Sequence, residues 1–284
     1  MTPIVLDAQL EIRLKTLWGA SAMPFAPQVS QPFWTTLSQE LLNQLRQMLA
    51  VRSHGLLHGP NGVGKTVLVD ALLISLPEKL FAATRLAHSS LSGSDLLRAF
   101  CHALGLPPQM RRSDNIHQIH RHWQSLGSLH PVLVVDEAQN LSAQALEELR
   151  LLGCAPRPSI QPPPFSLLLV GDEDLLPRLQ MGINRPLRSR LGFCLAFAPF
   201  TEEQTLSYIS ERWRQVGVAQ DPFPEAAQRL LHQASGGIAR TINQLAQLAI
   251  LHAARLNQRQ LSIEHVGAAL NQIPWIARLN PQQS

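Results

Sequence analysis

The 284-residue sequence predicts an α/β protein, a three-layer sandwich around a central parallel sheet, followed by a small all-α C-terminal domain. Three observations lead there. Short apolar strands alternate with helical patterns as far as Phe200. Pro131–Val135 is an unbroken apolar run rich in valine, the mark of a parallel strand covered on both faces, and Ser166–Val170 reads the same way. From Thr201 onward only helical spacing remains.

The elements follow in order. Residues 1–50 form an N-terminal extension. Pro24, Pro27 and Pro32 break its first part, and Phe33, Leu37, Leu41, Leu45 and Leu49 then recur at helical spacing. Residues 51–200 form the sheet domain. Ser53–His58 reads as a strand running into a Gly-rich loop, and Val67–Leu76 is a helix stopped by Pro77. Thr84–His88 is a second strand, and Ser94–Leu104 and Asn115–Leu126 are helices. After the strand Pro131–Val135 come the helix Ala143–Leu152, a Pro-rich loop, the strand Ser166–Val170 and a short final strand Leu195–Phe197. Residues 201–272 carry four helices: Glu202–Val216, Pro224–Ala234, Ala239–Ala254 and Ser262–Asn271. Residues 273–284 form a tail whose Ile273–Ile276 either packs on these helices or docks on a partner.

Hydrophobic residues make up 45% and charged residues 15%, as in a folded globular protein. The formal net charge is +4, carried almost wholly by arginine, with lysine only at positions 15, 65 and 79. Arginine pairs bidentately with phosphate, so this balance leans toward nucleic acid, although ordinary surface charge gives the same count. Cys101, Cys154 and Cys194 are far apart and lack metal-ligand spacing, which suits free thiols in a reducing compartment. No basic stretch followed by an apolar run opens the chain, and no membrane-length apolar run occurs. The expectation is a cytoplasmic protein with no membrane partner.

Two motifs carry chemistry. Gly59-Pro60-Asn61-Gly62-Val63-Gly64-Lys65-Thr66 is a GxxxxGKT phosphate loop. Its glycines let backbone N–H groups turn inward around phosphate oxygens, and the following helix points its positive end at them. Lys65 brings a cation to the β- and γ-phosphates, and the Thr66 hydroxyl ligates Mg²⁺. The second motif is Val132-Leu133-Val134-Val135-Asp136-Glu137, an apolar strand ending in two carboxylates. Asp136 sits beside Mg²⁺ and Glu137 polarises the attacking water as general base. An acidic helix cap is the alternative reading of Asp136.

Val135-Asp136-Glu137-Ala138-Gln139-Asn140-Leu141 with Leu146-Glu147-Glu148-Leu149-Arg150-Leu151-Leu152 resembles the ExeA-like branch of the AAA+ ATPases. So do Leu168–Gly171, Ser235–Asn243, and Leu17-Trp18-Gly19 followed by Pro24-Phe25, so that the likeness spans residues 17–270. This branch holds the ExeA secretion ATPases and the target-selection ATPases of transposons, the TnsC and TniB proteins. The resemblance implies ATP and Mg²⁺ as cofactors, a helical lid, and ATP held between neighbouring subunits. It implies Gly59–Thr66 and Val67, with Asp136, Asp172 and Arg240, as the ATP-holding set. Arg240 matches the lid arginine that reaches the γ-phosphate, and Arg190 or Arg188 lies where a neighbour's arginine finger is expected. Asp172 departs from the pattern, because a neutral polar residue is usual there and a carboxylate would repel the γ-phosphate unless paired or turned away. Ala239 likewise replaces a usual proline.

Secretion ExeA proteins usually continue beyond the ATPase core into a membrane span, which this sequence lacks. The expectation is therefore a regulator of transposition that forms rings or filaments on double-stranded DNA with ATP. It would recruit a transposase and a targeting factor, and hydrolysis would disassemble it. Arg111, Arg112, Arg121, Arg150 and Arg157 are candidate phosphate contacts, or plain surface charges. Two alternatives stay open: a secretion-type ATPase with a separate membrane partner, and a slow ATP switch.

Overall fold

A computed structural model describes residues 8–26, 31–86, 92–154 and 163–277. In chain order these residues form α1 (Ala8–Trp18), α2 (Thr36–Ala50), β1 (His54–His58), α3 (Lys65–Ser75), β2 (Phe81–Leu86), α4 (Gly93–Ala103) and α5 (Arg112–Ser125). There follow β3 (His130–Val135), α6 (Ala143–Leu152), β4 (Ser166–Gly171), α7 (Leu175–Gln180), α8 (Arg185–Arg188) and β5 (Leu191–Ala196). The remaining helices are α9 (Glu202–Gln215), α10 (Glu225–Ser235), α11 (Ala239–Arg255), α12 (Ile263–Gln272) and α13 (Pro274–Ala277). The chain divides into two compact units: residues 36–60 with 65–197, and residues 1–35 with 61–64 and 198–284.

The first unit is built on five parallel strands in the order β2-β3-β4-β1-β5. Side chains alternate between the two faces of a strand. Leu56, Leu133, Val135, Leu167 and Leu169 therefore share one face, where they pack with Phe100, Ile119, Leu146, Leu149 and Leu175 from α4 to α7. Leu57, Val132, Val134, Leu168 and Val170, all buried, point the other way. That face is covered by α2 and α3, which bury Met48, Leu49, Leu68, Val69 and Leu72. β3 and β4 are buried along their whole length, which is why they read as unbroken apolar runs.

The two outer strands differ from their expected bounds. β2 begins at Phe81 rather than Thr84 and ends at Leu86, and most of it is half-exposed. Ala87 and His88, the rest of the expected strand, fall outside the described residues. β5 spans Leu191–Ala196 rather than Leu195–Phe197, and its alternate residues are exposed. Edge strands bury one side only, so neither shows a continuous apolar run.

The second unit is a helical bundle. Tyr208 and Trp213 of α9, Leu231 of α10, Leu245 and Ile250 of α11 and Val266 of α12 form its core. Leu14 of α1, Ala20, Met23 and Phe25 are buried in that same core. Trp18 lies 5.8 Å from Trp213 between ring centroids, and Phe25 meets Trp213 edge-on at 6.3 Å. Residues 1–35 thus group with the helical unit, whereas α2 packs on the sheet. α9 opens with a capping box between Thr201 and Gln204. Ile273 and Ile276 also reach the helical core, while Trp275 between them is exposed.

Candidate nucleotide site

All strands of the sheet are parallel, so their carboxyl ends share one edge, where open α/β sheets bind ligands. His58 at the end of β1 is level with Gly171 of β4 and Ala196 of β5. The Gly-rich loop leaves β1 there, Asp136 follows β3, and Asp172 follows β4. The structure thus brings three sequence-predicted groups of the sheet unit to one edge.

The loop backbone requires its glycines. Gly59, Gly62 and Gly64 have φ of +156°, +91° and +112°. A Cβ on Gly59 would lie 2.2 Å from the Phe197 carbonyl oxygen, because Phe197 N–H donates to His58 O at 2.7 Å and holds the β5 exit against the loop. Lys65 opens α3 and is buried; its Nζ donates to the carbonyls of Gly59 and Pro60 at 2.7 and 3.0 Å. The ammonium is thereby held over the first turn of the loop, beside the N–H groups that open α3. Thr66 and Val67 are exposed at that same helix start. Burial lowers the His58 pKa most, Glu173 opposes that shift, and Lys65 adds to it, so the imidazole behind the loop favours its neutral form.

Asp136 is buried at the end of β3, and its Oδ1 accepts the Glu137 N–H at 3.0 Å. Glu137 adopts left-handed backbone angles, φ +52° and ψ +37°, which a non-glycine residue takes only when its surroundings impose them. The short turn Ala138–Asn140 follows, so Asp136 does not cap a helix directly. Gln139, unnoticed as a site residue in the sequence, donates from Nε2 to Glu137 Oε2 at 2.7 Å and accepts the Asp172 N–H through Oε1 at 3.3 Å. Arg178 of α7 in turn donates to the Gln139 carbonyl. The Asp172 carboxylate accepts the Asp174 N–H at 3.0 Å through Oδ1, which engages it in the turn leading to α7.

Arg85 is the second residue that sequence reasoning missed. It leaves β2 level with Val134 and reaches Asp136 Oδ2 and Asp70 Oδ1, both at 2.5 Å. A lone arginine inside a short strand is the available signal, since a charge placed there needs a partner.

The arginines separate. Arg240 N donates to the Gly62 carbonyl at 3.1 Å, and a Cβ on Gly62 would lie 2.7 Å from that of Arg240; both residues belong to the helical unit as divided above. Arg188 and Arg190 are exposed just before β5, whose first residue is level with His54. They stand at the opposite edge of the sheet from His58, roughly 13 Å along the strand direction. Arg188 donates to the Gln180 carbonyl, and Arg190 to the Arg150 carbonyl at 3.0 Å and to Cys154 Sγ at 3.3 Å. The structure therefore does not join them to Lys65 or Glu137. Of the candidate DNA contacts, Arg112 pairs with buried Glu148 at 2.5 Å and Arg150 with Glu147 at 2.6 Å, whereas Arg111 and Arg121 are exposed. Arg157 lies outside the described residues.

The residues present fit a magnesium nucleotide: a glycine loop with no room for a Cβ at Gly59 or Gly62, a buried lysine at its mouth, a helix-start hydroxyl and a buried, oriented carboxylate. This sheet order, with a Gly-rich loop after β1 and paired carboxylates after β3, defines the P-loop AAA+ fold. Residues 46–179 match the family model described as AAA domain. General secretion pathway protein A of Aeromonas hydrophila is 30% identical over 202 residues, covering 70% of this chain and 36% of that protein. The chain thus spans about a third of that relative's length. Cdc6p from Pyrobaculum aerophilum superposes with a TM-score of 0.69 at 19% identity, over 88% of this chain and 70% of that one. The Aeropyrum pernix ORC1 protein, solved in complex with DNA, gives 0.66 at 17% identity, over 88% and 68%. No helix among the described residues is long and apolar enough to cross a membrane.

Proposed function

We propose that this chain is an ATP-binding and ATP-hydrolysing AAA+ switch. The observation that carries the reading is the glycine loop with buried Lys65 on the same sheet edge as Asp136 and Glu137. Gly59–Val67 cradle the phosphates, Lys65 contacts the β- and γ-phosphates, and Glu137 orients the attacking water. Thr66 and Asp136 hold Mg²⁺, which neutralises phosphate charge when bound. Asp172 follows β4 at the same edge, with one carboxylate oxygen engaged in its own turn. Arg240 takes the role of the arginine that reads the γ-phosphate, as the resemblance implies. Arg190, or Arg188, acts in a neighbouring copy's site, a role supported by its distance from its own loop.

The switch works on double-stranded DNA in the cytoplasm as a regulator of transposition. ATP drives assembly into a ring or filament, the assembly recruits transposase and a targeting factor, and hydrolysis releases it. Support comes from the resemblance to transposon target-selection ATPases, from the arginine-borne positive charge, and from the likeness to an ORC1 protein solved with DNA. A second reading, a secretion ATPase working with a membrane partner, is favoured by the match to general secretion pathway protein A.

Sedimentation and negative-stain microscopy on duplex DNA, with ATP, with ADP and without nucleotide, separate the two. Rings or filaments on DNA with ATP alone are expected. Assembly indifferent to DNA favours the secretion reading. Lys65→Ala removes a charge-assisted contact and is expected to weaken ATP binding about ten- to hundredfold; unchanged affinity overturns the nucleotide site itself.

A further inference from the structure

Arg85 joins two carboxylates that come from different elements. Asp136, bridged through Oδ2, follows β3, and Asp70, bridged through Oδ1, belongs to α3. Asp70 lies four residues beyond Thr66, so the two share one face of α3. The bridge therefore runs along the end of the site assigned to Mg²⁺. Each oxygen of Asp136 has one partner, Glu137 N–H on Oδ1 and the guanidinium on Oδ2, and each keeps a lone pair for a cation or its water. Arg85 Nε is buried without a hydrogen-bond partner among the described residues, so the two carboxylates carry most of the task of holding this charge.

We propose that Arg85 is a positioning residue that fixes Asp136 and sets how strongly the site favours a divalent cation, with Asp70 acting as its counterweight. The proposal rests on reading Thr66 and Asp136 as the magnesium end of the nucleotide site. A cation there meets the field of two carboxylates less one guanidinium. Removing Arg85 leaves both carboxylates uncompensated and strengthens the preference for a cation. Removing the Asp70 charge does the reverse, because the guanidinium then acts on Asp136 alone. A purely structural tie between β2 and α3 gives no such opposition, since breaking it from either end would loosen Asp136 in the same way.

The test uses a fluorescent, non-hydrolysable ATP analogue whose Kd is measured in excess EDTA and in saturating Mg²⁺. The ratio of the two constants is the magnesium enhancement of binding, read without turnover. Arg85→Gln is expected to raise this ratio roughly tenfold, the effect of one unit charge a few ångströms away in a partly screened site. Asp70→Asn is expected to lower it severalfold. Arg85→Lys is expected to fall between wild type and Arg85→Gln, because an ammonium keeps the charge but cannot bridge both carboxylates in the same geometry. A fall in both Arg85→Gln and Asp70→Asn, or no change in either, overturns the proposal. If Arg85→Gln does not fold, Arg85→Lys takes its place beside Asp70→Asn, a change at a half-exposed residue: a rise in the first with a fall in the second supports the proposal, and a fall in both or an unchanged ratio in Asp70→Asn overturns it. Wild-type protein that binds no nucleotide instead sinks the ATP-site reading, a separate result.

Discussion

The Gln139 side-chain amide donates a 2.7 Å hydrogen bond to Glu137 Oε2. Its other end accepts the Asp172 N–H, so one amide ties the glutamate after β3 to the turn after β4. Glu137 already sits in a left-handed conformation, and this amide anchors its carboxylate. Gln139→Ala is expected to lower ATP turnover about tenfold while leaving ATP affinity within about twofold, as a lost positioning contact does. Glu137→Gln is expected to lower turnover at least about a hundredfold with binding intact, the usual contribution of a general base. Steady-state phosphate release and equilibrium binding check both. Normal turnover in Glu137→Gln removes that residue as the base.

Arg190 stands at the amino end of β5, away from the loop that follows β1. Arg190→Ala is expected to abolish turnover while preserving nucleotide binding. Mixed with Lys65→Ala, it is expected to recover part of the activity, since a mixed assembly contains sites with an intact loop facing an intact arginine. Titrating one variant against the other reads this directly. Failure to recover shifts the role to Arg188 or confines the chemistry to one chain.

Gly59 cannot carry a side chain without displacing the Phe197 carbonyl, 2.2 Å from the position of a Cβ. Gly59→Ala is expected to destabilise the sheet unit by about 2–4 kcal/mol and to abolish nucleotide binding, by combining an overpacked contact with an unfavourable φ. Denaturant unfolding and a binding titration on the same sample separate the two effects. Full stability in the variant would mean that the loop relaxes away from β5.

His130 lies buried at the start of β3, with Nε2 2.9 Å from Ser166 Oγ. Burial, with Arg52 and His54 nearby, lowers its pKa from 6.5 to about 4. Between these values the unfolded chain binds a proton that the folded one refuses. The stabilisation is fully present above pH 6.5 and declines as the pH falls toward 4, by roughly 3 kcal/mol in all. Urea unfolding at stepped pH is expected to show this slope in wild type and a shallower one in His130→Asn. Equal slopes would remove His130 as the source.

The parts of this site that lie in one short stretch were readable in the sequence. Gly59–Thr66 and Asp136–Glu137 are local patterns, and β3 and β4 are legible because both faces are buried. Arg85 and Gln139 were not, because their roles come from register and from turns. Arg85 meets Asp136 across 51 positions of sequence, through the pairing of β2 with β3. Gln139 meets Asp172 only after β3 and β4 are laid side by side. α1 escaped detection for a similar reason: Leu14 is buried against helices encoded near the other end of the chain. The second strand was found with its start misplaced, because it is an edge strand whose half-exposed residues blur the apolar signal.

The helical unit is assembled from both ends of the chain, with residues 1–35 joining residues 198–284. On the ribosome, Leu14, Met23 and Phe25 emerge well before the helices that bury them. At roughly 5–20 residues per second, these apolar side chains wait on the order of ten seconds or more for Trp213 and its neighbours. The sheet unit can meanwhile close on contiguous sequence. Birth order therefore runs against spatial order: this early segment finds its place only after about 200 further residues have been made.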